Sequence, residues 1–563
     1  MLRTASGVSG EAWIVSLGQD YLEPHRAFNG SSSGPVSICD GRGPVAPGVY
    51  LRYHQRQGLP RGTEARVAWP GLRHETSCGD LRQFCFRALA VLGLIMKYTR
   101  VFLLVCLLTA VSFGQAVPAS FFGLHFHQPN DIPTVTFGAC RIWMVSFFPL
   151  TRQTKGALWP QIEAQPGVFD FSVLDAELAA AKQSGIDDGC VFTFGPTPQW
   201  ASLHPSDRTC DHATQYSGGC WPPTDLNYDG TGTDKIVIDA ITAIAQHVND
   251  PTYLTTHAHI RYWEPWNEPY RSVSISGTDC RRHACSFNGS YAELVRIAED
   301  FRTVVKGIDA TALIVTPSGN AHFNVNGRLV VANFLDCAHK PRSGSNCITG
   351  TRGSNAVDVI NTHCYVGTQN ADDVIGYLQA MRALLDPVDK AKPFLCDEGG
   401  WGSNLKTTDP DIQAGFVARW YMDIWSQNVI LAGWYAWDDF TYGILWYPKG
   451  SNGCQLNVGC LTKAGTAYTQ TYSWLVGATL GGCTAQGSVA TCSLSRPNGY
   501  QAEMVWVNTT LTTCTGQTSS ETCGSMPYTV PAQYTTKRDL DGVRQPAKRL
   551  EIIGAKPLLF ENQ

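Results

Sequence analysis

Across the middle of this chain, short β-rich runs alternate with stretches of helical period, and few architectures accept that rhythm. The runs fall at 121–126, 139–145, 189–194, 259–263, 312–316, 357–365, 393–397 and 429–437. Helical spacing of apolar residues is clearest at 234–248, 291–308, 372–385, 411–425 and 466–476, and Leu174, Leu178 and Ala181 repeat it between the second and third runs. Eight alternations predict an α/β fold, a (β/α)8 TIM barrel with decorated loops over 120–476. A doubly wound open sheet is the alternative, but no G-x-G-x-x-G or Walker-type loop follows any run, so no nucleotide cofactor is expected. From about residue 477 Thr, Ser, Gly and Cys become frequent and short alternating runs at 502–507 and 549–553 replace the helical periods. That change predicts a small C-terminal β-sandwich over 477–563, read as a structural module.

The first 119 residues carry an export signal in an unusual place. Met96, Lys97 and Arg100 form a positive start, an apolar run follows at 101–113, and Gly114, Ala116 and Ala119 supply the small residues that signal peptidase reads. This arrangement predicts a signal peptide over 96–119, with residues 1–95 a non-structural extension or not made at all, and a mature chain that is secreted or periplasmic. Joining 88–96 to 101–113 as one membrane anchor is the competing reading. It would put Lys97 and Arg100 near the bilayer centre at about 2.5 to 3.5 kcal/mol each, so no stable span is expected in the mature chain.

Cysteine usage agrees with export. Of 20 cysteines, twelve form close pairs in turn-rich stretches: Cys210/Cys220, Cys280/Cys285, Cys337/Cys347, Cys454/Cys460, Cys483/Cys492 and Cys514/Cys523. Converging zinc knuckles are missing from this spacing, so short-loop disulfides and no metal are expected. Cys140, Cys190, Cys364 and Cys396 sit inside apolar runs and read as buried thiols. Charged residues make up only 16% of the chain and the formal net charge is −4, which gives no general attraction to nucleic acid or anionic membranes. Surface polarity must come from hydroxyl and amide side chains, and with 16 Trp and 21 Tyr that suits a neutral, hydroxyl-rich ligand such as carbohydrate.

In a barrel of this kind working residues project from the C-terminal ends of the strands. Two acidic strand ends stand out. Arg261-Tyr262-Trp263-Glu264-Pro265-Trp266-Asn267-Glu268-Pro269 runs from the fourth strand into a turn with Asn267 and Glu268, and Pro393-Phe394-Leu395-Cys396-Asp397-Glu398-Gly399-Gly400 ends the seventh with Glu398. Opposed across a barrel mouth, such carboxylates suit glycosidic cleavage, one as proton donor and one at the anomeric carbon. Arg141 and Tyr365 are placed to support the charged partner. Strand alternation predicts that Asp397 points away from Glu398 and that His125 and His127 share a face. Glu264 reads as a supporting group, Asp438 and Asp439 as loop caps, and Trp200 as a cleft residue. Segment 201–235, stapled by Cys210/Cys220, is expected to shape the length of the substrate.

Trp266-Asn267-Glu268-Pro269, the Glu398 strand end, Arg141 in CRIW, His363 and Tyr365 in NTHCY, and Trp437 in WYAWDD together resemble the retaining glycoside hydrolases of clan A, most closely family 39. That family includes β-xylosidases, α-L-iduronidases and exopolysaccharide-cleaving endoglycosidases. The resemblance spans roughly 121–476 and extends to the small β-domain after the barrel. It implies Glu268 as acid/base, Glu398 as nucleophile, and Asn267 on the sugar 2-hydroxyl. It further implies a hydrogen bond from Tyr365 to Glu398, His363 near the sugar, Trp437 under the cleaved sugar, and no metal or organic cofactor; His127, if its face of the first strand is inward, is the histidine there that reaches sugar hydroxyls. The partner expected is a poly- or oligosaccharide. The alternatives are a carbohydrate-binding barrel without catalysis and a transglycosylase using the same site.

Overall fold

The computed structural model describes residues 114–129, 131–145, 155–210, 217–269, 286–319, 325–337, 348, 350–366, 370–402, 409–438, 443–447, 459–508 and 524–563. Residues 1–95, the 96–113 part of the signal expected over 96–119, Cys280, Cys285, Cys347, Cys454, Cys514, Cys523 and Asp439 lie outside them.

Nine parallel strands build the first sheet: β1 Phe122–His125, β2 Ala139–Ile142, β3 Asp188–Thr193, β4 His259–Glu264, β5 Leu313–Ile314, β6 Ile360–Asn361, β7 Cys364–Tyr365, β8 Phe394–Gly400 and β9 Val429–Trp434. Their order is β5-β4-β3-β2-β1-β9-β8-β6, with β7 also on β8, so β6 and β7 share one barrel position. The parallel bridge Val315↔Val359, with Thr316 N–H donating to the Val359 carbonyl at 3.0 Å, joins the two ends of that order. This is the sheet of a (β/α)8 barrel. Connecting helices are α1 Ser172–Gln183, α2 Lys235–Val248, α3 Tyr291–Ile308, α4 Val325–Leu335, α5 Asp373–Ala383, α6 Pro410–Ser426 and α7 Lys463–Leu475. Caps explain where some begin. Ser290 and Glu293 form a reciprocal capping box on α3, and Asp409 accepts from the Asp411 and Ile412 N–H groups at the start of α6. The described residues of 126–138 hold no helix, so β1 passes to β2 through a short loop.

The strand period of two sorts side chains into an inner and an outer face. Ala139, Val191, Val315, Val359, Leu395 and Leu431 fill the barrel as an apolar plug. Two residues further along their strands come Arg141, Thr193 and Asp397, joined by Glu264 of β4, all buried. A polar floor therefore lies directly on an apolar one, at the end of the barrel where the strands terminate.

The intervening cysteines point the other way and are not free thiols. Cys140 and Cys190 are register partners on β2 and β3 and are bonded, with Cα atoms 4.5 Å apart. Cys364 of β7 is bonded to Cys396 of β8 at 5.7 Å. The buried-thiol expectation fails because these pairs are 50 and 32 residues apart in sequence, and only strand adjacency brings them together. Cys210–Cys220 and Cys483–Cys492 are bonded as expected, and Cys337 and Cys460 are also in disulfides.

After the ribbon of β10 Trp446–Tyr447 and β11 Cys460–Leu461 comes the C-terminal module. Its strands are β12 Thr479–Gln486, β13 Val489–Arg496, β14 Tyr500–Val507, β15 Met526–Thr529, β16 Thr536–Arg538, β17 Arg544–Pro546, β18 Leu550–Ile553 and β19 Leu558–Glu561. Six form one antiparallel sheet in the order β12-β13-β14-β19-β16-β17. Where a sandwich was expected, the second layer among the described residues is only the β15–β18 ribbon, with Tyr528 stacked on Phe560 at 5.7 Å. Val117 ties this module to the barrel's start: its N–H donates to the Ala478 carbonyl at 2.9 Å, and its own carbonyl accepts from Gly477 at 2.8 Å. Among the described residues no helix is long and apolar enough to cross a membrane.

Peptide mapping of the oxidised protein should recover Cys140–Cys190 and Cys364–Cys396 as linked peptides, and alkylation at any of the four would contradict the barrel register. Replacing both members of the Cys140–Cys190 pair by Ala should lower unfolding free energy by about 2 to 4 kcal/mol in denaturant titrations.

Candidate active site

Arg141 organises the polar floor. It is buried at the end of β2, and its Nε donates to Asp397 Oδ2 at 2.8 Å, Nη1 to Glu398 Oε2 at 2.5 Å, and Nη2 to Glu264 Oε2 at 3.0 Å and Asn267 Oδ1 at 2.8 Å. Burial disfavours its charge, but Asp397, Glu398 and Glu264 outweigh that and raise its pKa above the ordinary arginine value. Glu264 is fully buried, which alone would raise its pKa. Arg141, His363, the Ser318 N–H at 2.9 Å and the Thr193 hydroxyl at 2.6 Å reverse the sign and lower it. It is therefore the fixed anion of the site, as its reading as a supporting group anticipated.

Glu398 stands on β8, 7% exposed. Tyr365 of β7 donates its hydroxyl to Oε1 at 2.7 Å, while Arg141 occupies Oε2. Burial and the Glu398 charge hold the Tyr365 phenol well above its usual range, so it stays a neutral donor. Asp397 does not point away. From Cys396 to Gly399 β8 takes three steps while β9 takes two, from Ala432 to Trp434, and this bulge suspends alternation. Asp397 faces inward in step with Leu395, and the extra residue brings Glu398 inward beside it. The bulge also presses the Asp397 carbonyl onto β9 at Gly433, where any Cβ would lie 2.2 Å from that oxygen, so glycine is required there.

Glu268 follows β4 in a turn with φ 46°, a region few non-glycine residues enter. Its N–H donates to Ser318 Oγ at 3.0 Å and its carbonyl accepts from the Ser286 hydroxyl. His363, fully buried between β6 and β7, links the two glutamates. Its Nδ1 is 2.7 Å from Glu268 Oε1, and its Nε2 is 3.5 Å from Asp397 Oδ1 and 3.6 Å from Glu398 Oε2. Burial opposes its charge, but Glu398 and Glu268 raise the imidazole to about 9. One oxygen of Glu268, one of Glu398 and one nitrogen of His363 all lie within 4.8 Å of one another. Glu264, His363 and Asp397 form a second such group behind it. Burial, with Glu264 beside it, lifts Asp397 to about 7 despite Arg141.

The remaining expected residues divide. His127 lies at the edge of the cluster, its Nδ1 2.9 Å from Asp438 Oδ1 and its Nε2 2.9 Å from the Tyr435 hydroxyl. Asp438 thus fastens His127, through its backbone N–H as well as its ring, in place of capping its own loop. His125 shares the face of His127, with ring centroids 4.9 Å apart, and burial with its cationic neighbours keeps it neutral. Trp200 is half-buried with its Nε1 taken by the Glu163 carbonyl, and none of its hydrogen bonds reaches the carboxylates. Trp437 is 0% exposed and stacks on Trp446 at 5.8 Å, so it offers no ring face to a ligand. Tyr435, two residues earlier, is partly exposed and packs edge-on to His125 and His127, 6.4 Å from Tyr365. Trp437 thus lacks the exposed face expected of it, while Tyr435, which directly follows the last strand residue, is the more exposed aromatic of WYAWDD.

No protein-family model and no curated protein sequence matches the chain. Solved structures do. A family 39 glycoside hydrolase from the gut symbiont Bacteroides cellulosilyticus superposes with a TM-score of 0.52 at 13% identity, covering 79% of this chain and 80% of that one. The chain shares its fold with a family 39 glycoside hydrolase. A conserved exported protein from Bacteroides fragilis gives the same TM-score and identity, covering 80% of this chain and 98% of its own. At such identity the likeness is one of fold, and the chemistry must be argued from the side chains.

Two stability outcomes follow. Glu264→Gln should cost about 3 to 5 kcal/mol in chemical denaturation, because it leaves Arg141 short of a buried anion. His363 has a folded pKa raised from 6.5 to about 9, so its charge stabilises fully below pH 6.5 and loses its effect as pH rises through 9. The stability difference between wild type and His363→Gln should therefore shrink by up to about 3 kcal/mol from pH 6 to pH 10, and a pH-independent difference would contradict the charge assignment.

Proposed function

We propose that the protein is a retaining O-glycoside hydrolase acting on a poly- or oligosaccharide by double displacement, with Glu398 as nucleophile and Glu268 as acid/base. The observation that carries this reading is the approach of one oxygen from each glutamate to within 4.8 Å. Retaining enzymes keep their carboxyl groups about 5 to 5.5 Å apart, whereas inverting ones leave about 6.5 to 9.5 Å for a water. The fold shared with a family 39 glycoside hydrolase supports the same reading.

Each group then has a task. A Glu398 oxygen attacks the anomeric carbon while the glycosidic C–O bond breaks, and its electron pair leaves on an oxygen that takes the Glu268 proton. His363, 2.7 Å from Glu268 Oε1, orients the carboxyl that carries that proton. Arg141 and Tyr365 fix the plane of the Glu398 carboxylate, one on each oxygen. Because Arg141 occupies Asn267 Oδ1, the amide turns its NH2 toward the site, where it can donate to the sugar 2-hydroxyl and strengthen as the ring flattens. Water then attacks the ester with Glu268 as base, restoring Glu398. A sugar hydroxyl in place of that water would make the enzyme a transglycosylase. Tyr435 supplies the aromatic surface beside the cleaved sugar, and segment 201–235, held by Cys210–Cys220, borders the substrate. Disulfides bonding adjacent barrel strands are consistent with secretion, but Ala116 and Val117 are paired with Thr479 and Val476 and Val117 is buried, so a signal beginning at Met96 must end before them and not at 119 as expected from the sequence.

On a polysaccharide panel the wild-type protein should release reducing sugar, and NMR should show the first-formed product with the substrate's anomeric configuration. Glu268→Gln should lower the rate about 10²- to 10⁴-fold on unactivated substrates, and Glu398→Gln should leave no measurable turnover. Inverted product would rule out the double displacement, and undiminished activity in either variant would rule out the residue roles. Binding without turnover by the wild-type protein would favour a non-catalytic carbohydrate-binding barrel.

A further inference from the structure

The double displacement removes a charge from a place that cannot easily lose one. At rest, Glu398 Oε2 faces two buried cationic groups, Arg141 Nη1 at 2.5 Å and His363 Nε2 at 3.6 Å. When Glu398 becomes an ester its negative charge is gone, and the equivalent charge appears on Glu268, at the opposite nitrogen of His363. Arg141 and the Nε2 side of His363, both buried, are then left facing a neutral ester.

Asp397 is the group positioned to answer this. Its Oδ2 already receives Arg141 Nε at 2.8 Å, while its Oδ1 is fully buried, makes no hydrogen bond, and lies 3.5 Å from His363 Nε2. Both of the cations that Glu398 abandons are thus within reach of one further carboxylate, beside which the β8 bulge sets Glu398. Resting on the double-displacement reading, we propose that Asp397 is a positioning residue that serves as the standby counter-ion of the site: it keeps His363 cationic and Arg141 in place while Glu398 is esterified.

The charged and titratable surroundings of Asp397 are Arg141 from β2, Glu264 from β4, His363 from between β6 and β7, and Glu398 beside it, with His125 and His127 of the first strand's end further round. Glu264 also acts on Arg141 and His363, but its oxygens already accept from Thr193, Ser318 and one Arg141 nitrogen, whereas Asp397 Oδ1 accepts no hydrogen bond. An apparent pKa near 7 for Asp397 fits a group held between burial and cations, ready to carry its full charge when those cations lose their other partner. In the first step the bond formed is Glu398 O to the anomeric carbon and the bond broken is anomeric carbon to leaving-group oxygen. The Glu268 proton goes to that oxygen, and Asp397 neither gives nor takes an atom.

The ester can be imitated without any substrate, because Glu398→Gln removes the same charge. Imidazole nitrogen NMR of ¹⁵N-histidine-labelled full-length protein reads the His363 titration directly. In Glu398→Gln, His363 should remain cationic to above pH 7.5; in Glu398→Gln/Asp397→Asn it should titrate at least one pH unit lower. Asp397→Asn alone should move the alkaline limb of kcat/KM to lower pH, since loss of an anion loosens the protons around it. Thermal melts identify any variant that fails to fold. In that case a wild-type readout replaces it: the carboxyl carbon of ¹³C-labelled Asp397 should titrate in the wild type, and its midpoint should fall in Glu398→Gln. An equal His363 titration with and without Asp397, or an Asp397 carboxyl indifferent to the Glu398 charge, would overturn the inference. Loss of activity in Glu268→Gln and Glu398→Gln alongside such a result would leave the glycosidase reading standing and remove only this role for Asp397.

Discussion

One guanidinium at the end of β2 binds three carboxylates and an amide, and the mouth of the barrel is arranged around it. Arg141 ties β2 to β4 through Glu264 and Asn267, and to β8 through Asp397 and Glu398. A buried ion cluster of this type adds little net stability, because desolvation offsets most of the Coulomb attraction. What it adds is specificity. Without Arg141 three buried carboxylates would repel one another, so strand positions that fail to bring them to it are penalised.

The strain at Glu268 makes sense in that setting. A non-glycine residue at φ 46° costs about 1 to 3 kcal/mol, and the turn persists because its surroundings determine it. Ser318 takes the Glu268 N–H while its own N–H serves Glu264, so one residue after β5 fastens both the strained turn and the fixed anion. Ser286 binds the Glu268 carbonyl through its hydroxyl and the Trp266 indole through its carbonyl. The side chain is therefore aimed by backbone fasteners, and His363 helps to hold its carboxylate.

Much of this was legible in the amino-acid order. Strands of a barrel write a period that survives without coordinates, and the acidic residues after the fourth and seventh runs stand out because working residues project from the C-terminal ends of such strands. Other features were not legible, for specific reasons. Alternation predicts facing only while pairing is regular, and a single inserted residue between Cys396 and Gly399 turned Asp397 from a bystander into a neighbour of Glu398. Burial of Trp437 and exposure of Tyr435 depend on how the chain leaves β9, which composition does not encode. The C-terminal module has the strand pattern of a sandwich, but the pattern cannot say how many strands each layer receives.

The two disulfides misread as thiols share a further regularity. Cys140 immediately precedes Arg141, Cys364 precedes Tyr365, and Cys396 precedes Asp397. Strand geometry sends each cysteine outward and its successor inward, so the covalent ties sit directly behind the polar floor. The Cys140–Cys190 bond joins β2 to β3 at the level where Arg141 leaves the wall, and Cys364–Cys396 joins β7 to β8 where Tyr365 and Asp397 leave it. β6 and β7 are two residues long apiece, too short for ladder hydrogen bonds alone to hold Tyr365 against Glu398. A covalent tie one residue away supplies the missing constraint without placing any atom in the site. The resulting division of labour has the outer face fixing strand positions through sulfur and the inner face balancing charge through Arg141 and His363.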